Sequence, residues 1–250
     1  MGADTVAGLG ARHSMDRLSR HISVNKLTSF LFKVAIAIIV LDLLALTFTM
    51  LTGHDSVLGL LGILDLDRER GVGMLFQVLL LLLSSILLWK TGDAARQGVA
   101  PEGPWRFLSG AFFFLMLDEF NSIHERLMPV MWSIVGDEGI FRFAWIVPYG
   151  IAVVVLAIWL LPKILRLPVE PRNYLILAAA LYVSGALGME AVTGWRLDAI
   201  GGESARPEFF YEFGTTIEES LEMFGIIFLL RALFGMLRDA YPQIDLTMGP

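Results

Sequence analysis

Six long apolar stretches dominate the chain, and short polar or glycine-rich connections separate them. None shows the strict alternation of apolar and polar residues typical of a membrane β-barrel, and each has the roughly 17–25 residues with which a helix crosses hydrocarbon. We therefore predict an all-α fold, a polytopic membrane helix bundle with six transmembrane helices. The predicted spans are Phe30–Leu51, Gly71–Trp89, Phe107–Leu127, Phe143–Leu161, Tyr174–Val192 and Thr215–Leu237.

The rest of the chain follows from these spans. Residues 1–29 form a polar N-terminal tail, residues 30–238 the transmembrane domain and residues 239–250 a C-terminal tail. The first tail has no apolar core before the first span, so a cleavable signal peptide is not expected. Hydrophobic residues make up 56% of the chain, which is too apolar for an ordinary soluble domain. Cysteine is absent, which excludes disulfides and thiolate metal ligands.

The distribution of charge predicts the orientation. If the N-terminus is inside, 13 of the 19 lysine and arginine residues lie on the inner side, including every lysine. This asymmetry agrees with the positive-inside rule and places both termini in the cytoplasm. Seventeen of the 25 acidic residues then lie on the outer side. An acidic outer half favours cations and disfavours nucleic acid as a partner.

Ionisable residues inside the spans collect near the outer face. A charge at the middle of a bilayer costs roughly 2.5–3.5 kcal/mol even on the lenient insertion scale, so such residues are functional candidates. They end the third span, end the fifth and begin the sixth: Asp118, Glu119, His124, Glu125, Glu190, Glu218, Glu219 and Glu222.

Helical periodicity groups these residues into faces. In the sixth span, Thr215, Glu218, Glu219 and Glu222 share a stripe about 100° wide. In the third span, Asp118 and Glu125 are seven residues apart and return to the same side of a helix. The same helix would carry His124 on the opposite flank and bring Glu119 close to Arg126.

Seven carboxylates at this level face one arginine and one histidine. Such a group is tolerable if several carboxyls stay protonated, if water fills a vestibule, or if a metal ion is bound. Carboxylates with one imidazole suit iron, manganese, magnesium or calcium better than zinc. We expect a divalent-metal site with the ligands Asp118, His124, Glu125, Glu190, Glu218 and Glu222, of which Asp118, Glu125 and Glu222 are also the candidate catalytic residues.

The expected function is oxidation, reduction or hydrolysis of a small molecule in the lipid phase. Two alternatives stay open: a proton- or cation-coupled transport protein, and an accessory subunit that meets a membrane-protein partner through its acidic residues. Structural interpretations also stay open, since Glu218 and Glu219 could serve the helix N-terminus. Asp42, alone in the first span, has no obvious partner, and Pro148 is expected to kink the fourth span.

Three segments resemble a family of bacterial multi-pass membrane proteins of unknown activity. They are LDEFNSIHE (117–125), EESLEMFG (218–225) and the loop LDLDRE (64–69). The family carries LDE…IHE, an EExxEM motif near its C-terminus and an LDLD-like first loop, and the similarity covers most of the chain. The resemblance implies a location in the bacterial inner (plasma) membrane, within a lipid bilayer. It implies no mechanism.

Overall fold

A computed structural model describes residues 22–53, 61–66, 71–202, 208–238 and 246–247. The long helices are α1 (Val24–Thr52), α3 (Val72–Arg96), α4 (Trp105–Asn121), α6 (Ile146–Ile164), α7 (Val169–Val183), α8 (Glu190–Ala199) and α9 (Phe209–Leu237). Shorter helices are α2 (Leu61–Leu64) and α5 (Met128–Val135), with 3-10 turns at His124–Leu127 and Gly139–Phe141. Two-residue strands, β1 (Ile22–Ser23) and β2 (Leu246–Thr247), pair in parallel. The predicted all-α architecture is confirmed apart from this pair.

Five helices in the described residues are long and apolar enough to cross a membrane. They are Val24–Thr52, Val72–Arg96, Ile146–Ile164, Val169–Ala199 and Phe209–Leu237, the fourth of which joins α7 and α8 through a π-helical segment, Ser184–Met189. Such helices suggest membrane insertion.

The third predicted span is interrupted in the structure. α4 has 17 residues and ends at Asn121, because Ser122 adopts a left-handed conformation with φ 47°. At 1.5 Å per residue, α4 is about 25 Å long, somewhat less than the roughly 30 Å of hydrocarbon. The prediction of a continuous helix over Phe107–Leu127 is therefore wrong.

Helix α9 is the centre of the bundle. It packs against α7, α1 and α3, while α4 packs along α3. Buried residues of α9, among them Met223, Ile227 and Leu230, lie in the main hydrophobic core. Helix α6 is peripheral, since none of its residues is buried. The arrangement places one face of α9, which carries Glu218 and Glu222, inside the protein.

Two further expectations from the sequence change. Pro148 lies in the first turn of α6, where a missing N–H removes no helical hydrogen bond, so the predicted kink has no cause there. Helix α1 begins at Val24, inside the segment expected to be tail, and Ser23 caps it by accepting a hydrogen bond from the Lys26 amide at 3.3 Å. Residues 1–21 of that tail lie outside the described residues.

Asp42 has partners, contrary to expectation. This carboxylate is 5% exposed and accepts hydrogen bonds from Thr216 Oγ1 at 2.7 Å and from the Leu66 amide at 3.1 Å. It thus joins α1 to α9 and to the segment after α2. Asp42 is best explained as a structural link, because both of its oxygens serve contacts between elements.

Candidate functional site

The left-handed turn at Ser122 folds the chain back onto the end of α4. As a result, the His124 amide donates to Asp118 Oδ1 at 2.7 Å, and His124 Nδ1 lies 3.3 Å from the same oxygen. The Asp118 side chain is 6% exposed and that of His124 is 20% exposed. A continuous helix would have separated the two residues, so the predicted position of His124 on the opposite flank is wrong.

The start of α6 supplies two aromatic side chains to this pair. Tyr149 donates its hydroxyl to Asp118 Oδ2 at 2.8 Å, which leaves Asp118 with three polar contacts on its two oxygens. Trp145 packs its ring against His124, with centroids 4.6 Å apart, and donates Nε1 to Glu190 Oε1 at 3.0 Å. Trp145 therefore connects the histidine to the next carboxyl group.

The π-helical segment Ser184–Met189 precedes Glu190 and brings it to α9. π-bulges inside α-helices occur frequently at functional sites. Close approach is possible because Gly185 faces α9: a Cβ at Gly185 would lie 2.7 Å from the Glu218 carbonyl oxygen and 2.9 Å from Glu222 Cγ. Across this contact the carboxyl groups of Glu190 and Glu218 lie close enough to interact electrostatically.

Glu222 lies one turn beyond Glu218 and is 7% exposed. Gln77 of α3, itself 1% exposed, donates Nε2 to Glu222 Oε2 at 2.6 Å. Glu119 of α4 is half-buried and interacts electrostatically with Glu222 and with Glu190. Helix α4 packs mainly on α3, so the acidic residues of the third and sixth spans meet through their side chains and not through helix packing.

We call Asp118, Glu119, Glu190, Glu218 and Glu222, together with His124, the carboxyl cluster. Sequence reasoning grouped all six. Gln77, Trp145 and Tyr149 were missed, because only ionisable residues were sought. A glutamine within an apolar span was the available signal for Gln77, since an unpaired amide in hydrocarbon is costly.

Glu125 and Arg126 depart from their predicted places. Both are exposed on the 3-10 turn, and Arg126 donates to the Asn121 carbonyl oxygen at 3.1 Å. The expected ion pair between Glu119 and Arg126 does not form among the described residues. In this part of the chain, the basic side chain in contact with the carboxyl cluster is His124, through Asp118.

The expected metal ligands do not converge on one point. Within the described ranges, no group of three or more histidine, aspartate or glutamate side chains is arranged to hold a metal ion. Both oxygens of Asp118 accept hydrogen bonds, from His124 and from Tyr149. Glu222 accepts a hydrogen bond from Gln77, and Glu125 is exposed. The metal site predicted from the sequence has no support in this geometry.

An ion pair joins α8 and α9 on the predicted outer side. Arg196 Nη2 at the end of α8 donates to Glu208 Oε1 at 2.7 Å, and Glu208 also caps α9 by accepting from the Tyr211 amide at 2.9 Å. The hydrogen bond from Arg196 holds the pKa of Glu208 below its usual range. The pair ties the end of α8 to the start of α9.

One family model matches residues 23–236, which is most of the chain, and its description is Domain of unknown function (DUF8692). No curated protein and no solved structure matches the chain.

Proposed function

Because the chain belongs to the DUF8692 family, whose description names no activity, we propose its function from the carboxyl cluster. We propose a proton-coupled membrane protein in which this cluster binds and releases protons during transport. The observation that carries the proposal is the burial of several carboxyl groups that lie close together: Glu218 and Glu222 are 8% and 7% exposed, and both interact with Glu190. Ionised carboxylates held so close in a buried site repel one another, so we expect at least one of them to hold a proton.

Burial supports the same assignment. In the described part of the chain, no lysine or arginine forms an ion pair with Glu190, Glu218 or Glu222. The effective cost of an uncompensated buried ion is several kcal/mol, and like charges close together raise it further. Protonation removes this cost. Gln77 is suited to either state of Glu222, because its amide donates to a carboxylate or to the carbonyl oxygen of a carboxyl group.

The carboxyl cluster is followed along α9 by an apolar layer. Within the cluster the His124 side chain is 20% exposed, whereas Asp118 and Glu222 are both buried. Beyond Glu222, α9 continues with Met223, Ile226 and Ile227, each at most 1% exposed. This apolar layer separates the cluster from the other end of the bundle. A carrier that exposes a protonatable site to one side at a time requires such a barrier.

The test combines spectroscopy, transport and stability. We expect purified protein at neutral pH to show the infrared C=O stretch of a protonated carboxyl, lost in part in Glu218→Gln. The rate of proton movement into liposomes should fall at least about tenfold in Glu222→Gln. The melting temperature of this variant should stay level or rise, because the amide keeps the shape of the side chain without a buried charge. Glu138→Gln, exposed on the predicted outer side, is the matched control.

A metal-dependent protein gives the opposite results. Bound iron, manganese, magnesium or calcium would be found by elemental analysis, a chelator would lower the melting temperature, and Glu222→Gln would lower it as well, because binding to the folded state adds stability by mass action. That outcome, without an infrared signal from a protonated carboxyl, would overturn the proposal of proton-coupled transport. It would favour a metal site that acts on a lipid-phase substrate.

We further propose six crossings with both termini inside, in a bacterial inner membrane. Helix α4 packs along α3, and a short connection joins them, so the two form an antiparallel hairpin. A hairpin partner of a spanning helix has to traverse the same layer, and the turn at Ser122 completes the short crossing of α4. The excess of lysine and arginine on one side supports the orientation.

Single cysteines test this topology, since the chain has none of its own. Glu138→Cys should react in intact cells with a thiol reagent that does not cross membranes. Gln97→Cys, in the α3–α4 connection, should react only after permeabilisation. Both positions are exposed, so access to the reagent depends on the side of the membrane. The reverse pattern would invert the proposed orientation.

A further inference from the structure

A cavity lies at the end of the bundle opposite the carboxyl cluster. It has a volume of about 220 Å³ and is lined by the start of α7, the end of α9 and the α3–α4 connection. Since a water molecule occupies about 30 Å³ in the liquid, the cavity holds a group several times larger than one water. Its polar lining includes Glu170, Tyr174, Arg231 and Arg238, and Pro101, Pro168 and Pro171 form part of its wall.

Arg231 is the most constrained cation of this cavity. Its Nη1 donates to Asn25 Oδ1 at 2.6 Å, and its guanidinium carbon lies 4.7 Å from the centroid of the Tyr174 ring. Nε is buried and has no hydrogen-bond partner among the described residues. Asn25 and Tyr174 thus hold the guanidinium in place in the cavity wall, and the edge that carries Nε has an N–H without a hydrogen-bond partner among the described residues.

That edge is a specific recognition element. Two parallel N–H groups of a guanidinium match two oxygens of a phosphate or carboxylate, and arginine is preferred wherever such a planar pair is recognised. An unpaired buried N–H costs free energy, which a bound oxyanion removes. Among the described residues that line the cavity, Arg238 carries a second positive charge and Glu170 a negative charge. The N-terminus of α7, at Val169, adds a favourable helix dipole.

We propose that this cavity binds the phosphate group of a phosphoester, with Arg231 as its bidentate donor. The site lies near the ends of α7 and α9, where the headgroups of a surrounding bilayer would be found. A lipid headgroup and a soluble phosphoester supply the same chemistry. The proposal is independent of the carboxyl cluster and of its protons.

Binding is measured on the full chain in maltoside micelles, which contain no phosphate. Phosphatidylglycerol should raise the melting temperature and remain attached in native mass spectra, whereas diacylglycerol with the same acyl chains should do neither. Binding of glycerol 3-phosphate and of inorganic phosphate is measured as well, to distinguish a soluble phosphoester from a lipid headgroup. Binding of either at an affinity comparable to that of the lipid identifies a soluble phosphoester, and binding of the lipid alone identifies a headgroup.

The variants distinguish recognition from packing. Arg231→Gln should weaken binding about tenfold, the value expected for one charge-assisted contact. The affinity of Arg231→Lys should lie between those of the wild type and Arg231→Gln, because lysine keeps the charge but not the paired N–H groups. Arg238→Gln, at an exposed position, should also weaken binding. Arg166→Gln removes an exposed arginine outside the cavity and should bind the lipid almost normally.

Two results would overturn the proposal. Diacylglycerol that stabilises the protein as strongly as phosphatidylglycerol would show that acyl chains alone are recognised. Equal affinity in wild type, Arg231→Gln and Arg238→Gln would show that neither arginine takes part.

Discussion

Replacement of Asp118 by alanine should destabilise the protein more than any other single change in the carboxyl cluster. The aspartate accepts from the His124 amide, the His124 ring and the Tyr149 hydroxyl, and it is 4% exposed. Each buried polar group left without a partner costs about 1–3 kcal/mol, so we expect a loss of about 3 kcal/mol or more. Thermal or detergent unfolding of the purified protein measures it.

Two variants accompany this experiment. Asp118→Asn keeps one carbonyl oxygen and should lose less stability, because one of the two acceptor positions survives. Asp137→Ala removes an exposed acidic residue on the same predicted side and should be close to neutral. If Asp118→Ala and Asp137→Ala unfold at the same temperature or detergent concentration, the contacts to His124 and Tyr149 contribute nothing to stability.

Gly185→Ala should disrupt the contact between the π-helical segment and α9. Its Cβ would lie 2.7 Å from the Glu218 carbonyl oxygen and 2.9 Å from Glu222 Cγ, distances that force the two segments apart. Overpacking of this kind typically costs about 1–3 kcal/mol. Glu190 and Glu218 interact across this contact, so we also expect the infrared signal of the proposed protonated carboxyl to change.

Gly188 offers a matched control within the same segment. A Cβ at Gly188 would have no heavy atom within 4 Å, so Gly188→Ala adds the same methyl group to open space. Its stability should be unchanged or higher, since alanine favours helix over glycine by about 1 kcal/mol. Equal losses in Gly185→Ala and Gly188→Ala would contradict the close approach and indicate a general sensitivity of this segment.

Five of the six spans could be predicted from the sequence, because transfer of a side chain into hydrocarbon depends mainly on its own chemistry. The exception is the third span. Hydropathy runs on to Leu127, whereas the helix ends at Asn121 and turns through Ser122. A left-handed serine has no strong sequence signature, and His124 bound to Asp118 compensates for the turn locally.

The members of the carboxyl cluster could also be predicted, for a related reason. Acidic residues are rare inside apolar spans, so Glu190, Glu218 and Glu222 stand out in the sequence by composition alone. The residues that bind these glutamates do not stand out in the sequence. Gln77 is 145 residues from Glu222 along the chain, and Trp145 is 45 residues from Glu190. Only the packing of α3 against α9, and of α6 against the π-helical segment that precedes Glu190, brings these pairs within hydrogen-bonding distance.

The chemistry of the carboxyl groups likewise depends partly on the sequence and partly on the tertiary structure. The sequence determined that several carboxyl groups would share one end of a helical bundle, since their helical spacing and the cost of burial both require it. The tertiary structure decided which oxygens face a donor and which face another carboxyl. Hydrogen bonds and metal ligation depend on distances between elements remote in the chain, and helical periodicity fixes distances only within one helix.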